Sequence, residues 1–483
     1  MKRPNILWIC TDQQRYDTIG ALGNPVVSTS NIDRLVDSGV SFTRAYCQSP
    51  ICTPSRASFL TGHYPSAVHV TGNGNESFPP EAPELVTRTL AGAGYDCGLI
   101  GKLHLASASG RIEPRADDGY RYWQYSHAPR DDWKQGHDYA DWVRSKGEVL
   151  GELIRSRDGV PGELHQTTWC AEKTIGFINE EREGPWLASV NIYDPHPPFN
   201  PPKQYRDRFA RERMPGPLFA ESDLVQQQRL AAVDFQSRGR RPEQLDIRNP
   251  LTPKTPGQEA AADNGDFADR DARTLQAAYY AMIELIDDRV GDIMEALEDS
   301  GQLDDTVVIF TSDHGEMLGD HGLIQKGCRF YEGLVRVPLI FSCPPRFRRG
   351  LRSDALVELL DIAPTLLQLA GLDAPERMQG RSLLPLLRGG KERHRDFVRC
   401  EYYDALDMPD GTFATMYRDE RYKLVVYHGH DEGELYDLEE DPEEFENMWS
   451  EPEAQPLKLE LMKRSFDASM LAMDRGPLRV GPM

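Results

Sequence analysis

The chain has 483 residues, 39% of them hydrophobic and 27% charged, a balance that builds an ordinary core and excludes wholesale disorder. At roughly 150 residues per domain, two or three units are expected. Acidic residues number 77 against 55 basic, a net charge of −22, which argues against nucleic acid or an anionic membrane as partner and requires local cations to draw in any anionic substrate.

The N-terminus is basic, but the apolar run at residues 6–10 is too short for a secretory leader and no small-residue cleavage site follows it. No apolar stretch approaches the ~20 residues of a membrane span. The eight cysteines are scattered without a CxxC pair, which suits a reduced, cytoplasmic protein better than a disulfide framework.

In chain order, residues 6–10 read as a buried strand, with Asp12 and Gln13 just beyond it. Residues 31–38 read as a short helix opening on a good cap. A second helical pattern begins near Ser55, after Cys52 and Pro54, and carries Arg56 in its first turn. A helix over 85–93 leads to a strand at 95–100, followed by Lys102 and His104. The run 186–192 is followed by Asp194 and His196, and the run 306–310 by Asp313 and His314. Residues 201–271, rich in Pro, Arg, Gln and Asp, read as a surface excursion or lid. The clearest helix spans 273–300, with Leu275, Tyr279, Met282, Ile286, Val290, Ile293 and Leu297 on one face. Near Gly389-Gly390 the pattern changes to short β-like runs at 413–417 and 422–427, then an acidic stretch. This divides the chain into a catalytic α/β unit at 1–390 and a smaller α+β unit with a short antiparallel sheet at 391–483.

Alternating strands and helices with polar residues at strand ends point to an open α/β sheet, in which ligands bind outside the carboxyl ends of the strands. Four stretches would then deliver their polar residues to one edge. Carboxylates there suit a hard divalent cation. Asp12 or Asp313 alone could equally cap a turn, whereas the two together favour a metal. A lone cysteine is ordinarily a small buried hydrophobe. Cys52, however, precedes a helix start with a fixed cation, and a helix N-terminus is an anion site.

Cys52-x-Pro54-x-Arg56, followed by Ala-Ser-Phe-Leu-Thr-Gly at 57–62, resembles the maturation motif of the formylglycine-dependent sulfatases of the alkaline phosphatase superfamily. Companion segments resemble that family in its own order: residues 5–13, 29–35, 39–46, Gly101-Lys102-Leu103-His104, 311–316, 380–387 and 434–442. The resemblance implies a large mixed, mostly parallel central sheet flanked by helices. It implies that a formylglycine-generating enzyme oxidises Cys52 to an aldehyde, which hydrates to a diol. One diol oxygen would attack sulfur to form a covalent sulfate ester, and the other would lose a proton and expel sulfate. Asp12, Gln13, Asp313 and His314, with residue 52, would surround one divalent metal, Ca²⁺ foremost, with Mn²⁺ or Mg²⁺ as alternatives. Arg56 would hold the nucleophile loop, and Lys102 and Lys326 would bind sulfate oxygens. His104 is the candidate base, and His196 the candidate acid, a role shared with Lys326. Of the sulfate contacts, Lys326 has the weakest sequence support because it lies in a loop.

The pair Asp12-Gln13 departs from the two adjacent aspartates of many arylsulfatases. With Asp313-His314 it is similar to choline-sulfatase-like and phosphonate-monoester-hydrolase-like relatives. The expected substrate is a small anionic sulfate ester, such as a sulfated sugar. A phosphonate monoester or phosphodiester hydrolase is the alternative, and a non-catalytic metal-binding scaffold the third reading. The segment after Asp474 suits a homo-oligomer by reaching a neighbouring subunit.

Overall fold

The computed structural model describes residues 2–108, 110–129, 136–156, 158–233, 239–245, 271–406, 411–474 and 481. Its strands are β1 (Asn5–Thr11), β2 (Gly39–Phe42), β3 (Ala45–Tyr46), β4 (Asp96–Gly101), β5 (Tyr122–Tyr125), β6 (Trp186–Ile192), β7 (Thr306–Ser312), β8 (Leu339–Ser342), β9 (Leu351–Ser353), β10 (Val357–Glu358), β11 (Val398–Tyr403), β12 (Phe413–Arg418), β13 (Tyr422–Tyr427) and β14 (Gly433–Asp437).

Eight of them form one sheet in the order β5-β4-β6-β1-β7-β8-β2-β9. Only β8 runs against its neighbours β7 and β2; the other pairings are parallel. Strand periodicity explains why the central runs read as continuously apolar. Ile6, Trp8 and Cys10 of β1 pack into one layer with Val307 and Ile309 of β7. Leu7 and Ile9 pack into the opposite layer with Val308 and Phe310. Helices cover both faces.

The register places the strand ends. Thr11 pairs with Ile192 and with Ser312, and Gly101 pairs with Asn191. The residues that follow each strand, Asp12, Tyr193, Asp313 and Lys102, therefore emerge at one edge, as the alternation of elements requires. Gly101 is needed there: its φ is 97°, and a Cβ would collide with the Asn191 carbonyl oxygen.

Four helices frame the site and the smaller sheet: α1 (Ser30–Ser38), α2 (Cys52–Thr61), α3 (Ala272–Asp299) and α4 (Gln455–Ala472). Two sequence expectations need correction. α1 begins at Ser30, and no side chain of its own caps it. The free N–H groups of Asn31 and Ile32 instead donate to Asp287 of α3, 255 residues away in the case of Ile32. α2 starts at Cys52 rather than near Ser55, because Pro54 lies in its first turn, where a missing N–H costs nothing.

Strands β11–β14 form a separate antiparallel sheet in that order. Leu461 and Ala468 of α4 pack on it against Tyr417, Leu424 and Leu435. Buried ion pairs tie this sheet and the segment before it to the loops and short helices beside the large one. Lys423 of β13 bonds Glu332 and Glu444, each at 2.7 Å, and Arg395 bridges Glu358 and Asp361. Within the excursion predicted at 201–271, Lys203–Arg206 and Glu221–Leu230 are helical; residues 234–238 and 246–270 lie outside the described residues, as does nearly all of the segment after Asp474. No helix among the described residues is long and apolar enough to cross a membrane. All eight cysteines are buried and free of disulfides.

Candidate active site

Every residue of α2 is buried, so the helix that starts at Cys52 is packed into the catalytic core from end to end. Its first turn is held from outside: the Thr53 N–H donates to Asn73 Oδ1 at 3.1 Å, and Ser55 Oγ to the Asp313 carbonyl at 2.6 Å. The Cys52 Sγ thus sits at a helix N-terminus facing the edge of the sheet. It lies 3.6 Å from Asp12 Oδ1, 3.2 Å from His314 Nε2 and 2.7 Å from Lys326 Nζ. Burial and the Asp12 carboxylate push this thiol up, but Lys102, Lys326 and His314 outweigh them and hold it below its ordinary range.

Arg56 is 1% exposed. Its Nε donates to Asp313 Oδ2 at 2.9 Å, and its Nη1 to the Lys102 carbonyl and to Asn191 Oδ1, each at 3.1 Å. It therefore clasps three strand ends at once. Its Nη2 has no hydrogen-bond partner, although it lies 3.9 Å from Asp12 Oδ2. Lys102 pairs with Asp12 Oδ2 and lies over the ring of Tyr193. Burial raises the cost of the Asp12 charge, yet Lys102, His196, Lys326 and Arg56 together hold its carboxyl well below the usual range.

Asp12, Cys52, Asp313 and His314 each offer a ligand atom, all within 4.8 Å of one another and all buried. Gln13 completes the group. Its φ is 72°, a left-handed conformation fixed from three sides. Its N–H donates to Asp313 Oδ1 at 3.0 Å, its carbonyl accepts from Tyr279 OH at 2.6 Å, and its Nε2 donates to Glu316. Those bonds leave Oε1 buried with no partner. In His314, Nδ1 donates to the Gly315 carbonyl at 2.8 Å, which turns Nε2 toward Cys52. Burial disfavours a charged His314, but the Asp313 carboxylate overcomes it and lifts the ring to about 9. Two carboxylates, a turned imidazole and an orphaned amide oxygen make a donor set that fits a hard divalent cation.

The two candidate proton-transfer histidines are both kept neutral. Burial, then Lys102 and His127, hold His104 well below its ordinary value; its Nδ1 has no partner. Burial and Lys326 do the same to His196, against the pull of Asp12. His196 Nδ1 donates to the Pro197 carbonyl at 2.7 Å, and its ring lies 4.6 Å from that of Tyr193. The structure brings Lys326, the weakest of the sulfate contacts by sequence, closer to Cys52 than any other cation.

The model of the sulfatase family matches residues 4–372. The chain belongs to the sulfatase family. A second match, to the C-terminal region described as N-sulphoglucosamine sulphohydrolase, covers 319–469. This sulfatase is 29% identical to an arylsulfatase of Clostridium perfringens, over 92% of this chain and 90% of that protein. It is 30% identical to the multifunctional alkaline phosphatase superfamily protein PehA of Trinickia caryophylli, over 98% and 97%. Among solved structures it resembles the phosphonate monoester hydrolase of Agrobacterium radiobacter, with a TM-score of 0.80 and 27% identity over 98% and 97% of the two chains. The fold is alkaline-phosphatase-like, and the enzyme is a sulfuric ester hydrolase.

Three residues of the sulfatase's site carry no role in the sequence reading. Glu316 binds Gln13 and accepts from the N–H groups of Leu318 and Gln325, so one carboxylate links the metal group to the loop that presents Lys326. Asn191 orients Arg56. Glu113 accepts from the N–H groups of His104 and Leu105 at 2.8 and 3.2 Å, and burial lifts it to about 7. Asn191 has a sequence signal as a polar residue inside an apolar strand, and Glu316 closes the segment 311–316 that carries the family resemblance; Glu113 has none.

Proposed function

We propose that this enzyme hydrolyses the sulfate ester of a sulfated sugar or another small organic sulfate, with Cys52 matured to formylglycine as nucleophile. The observation that supports this most is the buried group of Asp12, Cys52, Asp313 and His314, whose ligand atoms lie within 4.8 Å of one another, with the unpartnered Oε1 of Gln13 on the residue whose N–H binds Asp313. In the proposal these residues hold one divalent cation, Ca²⁺ foremost, whose charge when bound acidifies the residue-52 hydroxyl and polarises a sulfate oxygen.

The remaining steps fall to side chains. Lys102 and Lys326 hold the sulfate oxygens, and Arg56 fixes the start of α2. One hydroxyl of the residue-52 hydrate displaces the alcohol from sulfur; the second then loses its proton to His104, and the sulfate leaves as the aldehyde re-forms. His104 is buried and neutral, as a base must be. His196 is neutral too, but an arriving sulfate anion raises its proton affinity and lets it share with Lys326 the protonation of the leaving oxygen. The catalytic machinery occupies residues 1–390, and 391–483 form the smaller unit.

The test is peptide mass spectrometry of the Cys52 segment together with Cys52→Ala kinetics. Conversion replaces sulfur and two hydrogens by one oxygen. An unconverted thiol in a fully active preparation overturns the mechanism. A second reading, phosphonate monoester or phosphodiester hydrolysis at the same site, draws on Gln13 and His314 and on the likeness to the Agrobacterium enzyme. Parallel kcat/KM values on aryl sulfate, phosphodiester and phosphonate esters decide between them: a much higher value on a phosphorus ester favours the second.

A further inference from the structure

The described residues expose ten large apolar side chains, and six of them lie between Leu459 and Met473. Five of the six, Leu459, Met462, Phe466, Met470 and Met473, are 72, 39, 64, 50 and 56% exposed. At 3.6 residues per turn they all fall within about 40° of Phe466 around the axis of α4, a narrow seam of the coiled-coil kind. The same helix already buries a different face, Leu461, Ser465, Ala468 and Ala472, against its own domain. The seam is therefore additional to what the domain needs.

Two properties of the seam say what covers it. Its spacing is 3-4-4-3, which reads the same in both directions about Phe466. A two-fold axis through Phe466 would place Leu459 opposite Met473, Met462 opposite Met470, and Phe466 opposite itself. The net charge divides at the same point, positive before Phe466 and negative after it. Before Phe466 the helix carries Lys458, Glu460, Lys463 and Arg464; after it come Asp467 and Asp474. Antiparallel pairing thus sets a positive half against a negative half at both ends, whereas parallel pairing would oppose like charges. The whole segment is neutral in a chain of net charge −22, so two copies meet here without the repulsion that acts elsewhere.

We infer that this face of α4 is a homodimer interface in which two copies pack antiparallel about Phe466. The seam shares no residue with the candidate active site, so the inference is independent of the proposed chemistry.

Sedimentation equilibrium over a dilution series should show a mass twice that of the chain. Phe466→Glu should raise the dissociation constant at least about a hundredfold, because the residue counts twice at the axis, and leave kcat/KM on the best substrate unchanged. A short bismaleimide should cross-link Phe466→Cys chains to one another. It should cross-link Leu459→Cys only when mixed with Met473→Cys, and should not cross-link Val225→Cys, an exposed site on another helix. The native cysteines are all buried and do not compete. A monomer at every concentration, a dimer indifferent to Phe466→Glu, or a Leu459→Cys homodimer cross-link each overturns the inference. So does a full-length monomer that dimerises only when truncated after Asp474, which would make the terminal segment the occupant, or seam-dependent flotation with lipid vesicles in place of dimerisation.

Discussion

Two of the charge clusters that the sulfatase buries differ in how their acceptor atoms are bonded. In the cluster beneath β11, every carboxylate oxygen of Glu358, Asp361 and Glu401 accepts a hydrogen bond or meets a cation. Arg395 bridges the first two, Arg399 pairs with Glu401, and Tyr64, Ser66 and backbone N–H groups fill the remaining positions. At the strand-end cluster, Gln13 Oε1, Arg56 Nη2 and His104 Nδ1 have no partner, and three cations, Arg56, Lys102 and Lys326, surround two carboxylates, Asp12 and Asp313. Buried charge by itself therefore marks neither stability nor catalysis. Arg395 Nε and Arg399 Nε are as unpartnered as Arg56 Nη2, so the guanidinium nitrogens do not separate the clusters; the orphaned Gln13 Oε1 and His104 Nδ1 do, and they mark the site that expects a ligand.

That contrast can be broken by experiment. Cys52→Ala should cost about 10⁴-fold or more in kcat/KM, as removal of a nucleophile does, with little change in melting temperature. An equal loss of stability would make the site structural after all. Chelation should lower activity by at least about a hundredfold, and added Ca²⁺ should restore it, while the far-ultraviolet circular dichroism stays constant. The other cluster should respond in reverse. Asp361→Asn leaves Arg395 short of a partner and should cost about 3–5 kcal/mol in denaturant unfolding, with kcat of the folded enzyme unchanged.

Acid sharpens the comparison further. Burial opposes the Glu332 charge, but Lys423, Arg418 and Arg336 hold its carboxyl down to about 2. A depressed folded value means that this stabilisation is complete above the ordinary carboxylate range and is lost as pH falls from about 4.5 toward 2. Glu332→Gln should start less stable at neutral pH and show a flatter acid limb in a plot of melting temperature against pH. The smallest effect belongs to Asp287→Ala, which uncaps α1 and should cost about 1 kcal/mol.

The sheet was legible because its central strands are buried on both faces and so appear as unbroken apolar runs. The site was legible because parallel strands carry whatever comes after them to one edge, and Asp12, Lys102, His196, Asp313 and His314 all come after strands. What stayed hidden depends on partners remote in sequence. Lys326 is reached in the sequence only through the resemblance and otherwise reads as an ordinary loop lysine; the bonds from the Gln325 N–H to Glu316 and from the Met317 N–H to the Gln325 carbonyl show that its loop is anchored. The start of α1 reads as self-capped, whereas its donors go to α3. The cluster beneath β11 draws Tyr64 and Ser66 from beside the nucleophile helix and Arg395 and Glu401 from the end of the chain, a meeting that no local pattern announces.

The complete burial of α2 also sets a schedule. Cys52 is 1% exposed in the finished fold, so under the proposed maturation the modifying enzyme would have to reach it before the surrounding elements arrive. β7 with Asp313 and His314 leaves the ribosome about 260 residues after Cys52, which at roughly 5–20 residues per second is some 13–50 s of synthesis, and the segment Leu359–Leu369 that packs on α2 follows later still. In that interval the strand end that carries Asp313 and His314 is absent, and the Cys-x-Pro-x-Arg segment could be read directly. If the proposed maturation holds, a chain that completes its sheet with the thiol unconverted would have closed the door on its own nucleophile, and slower translation between residues 62 and 306 would raise the fraction of molecules that become active.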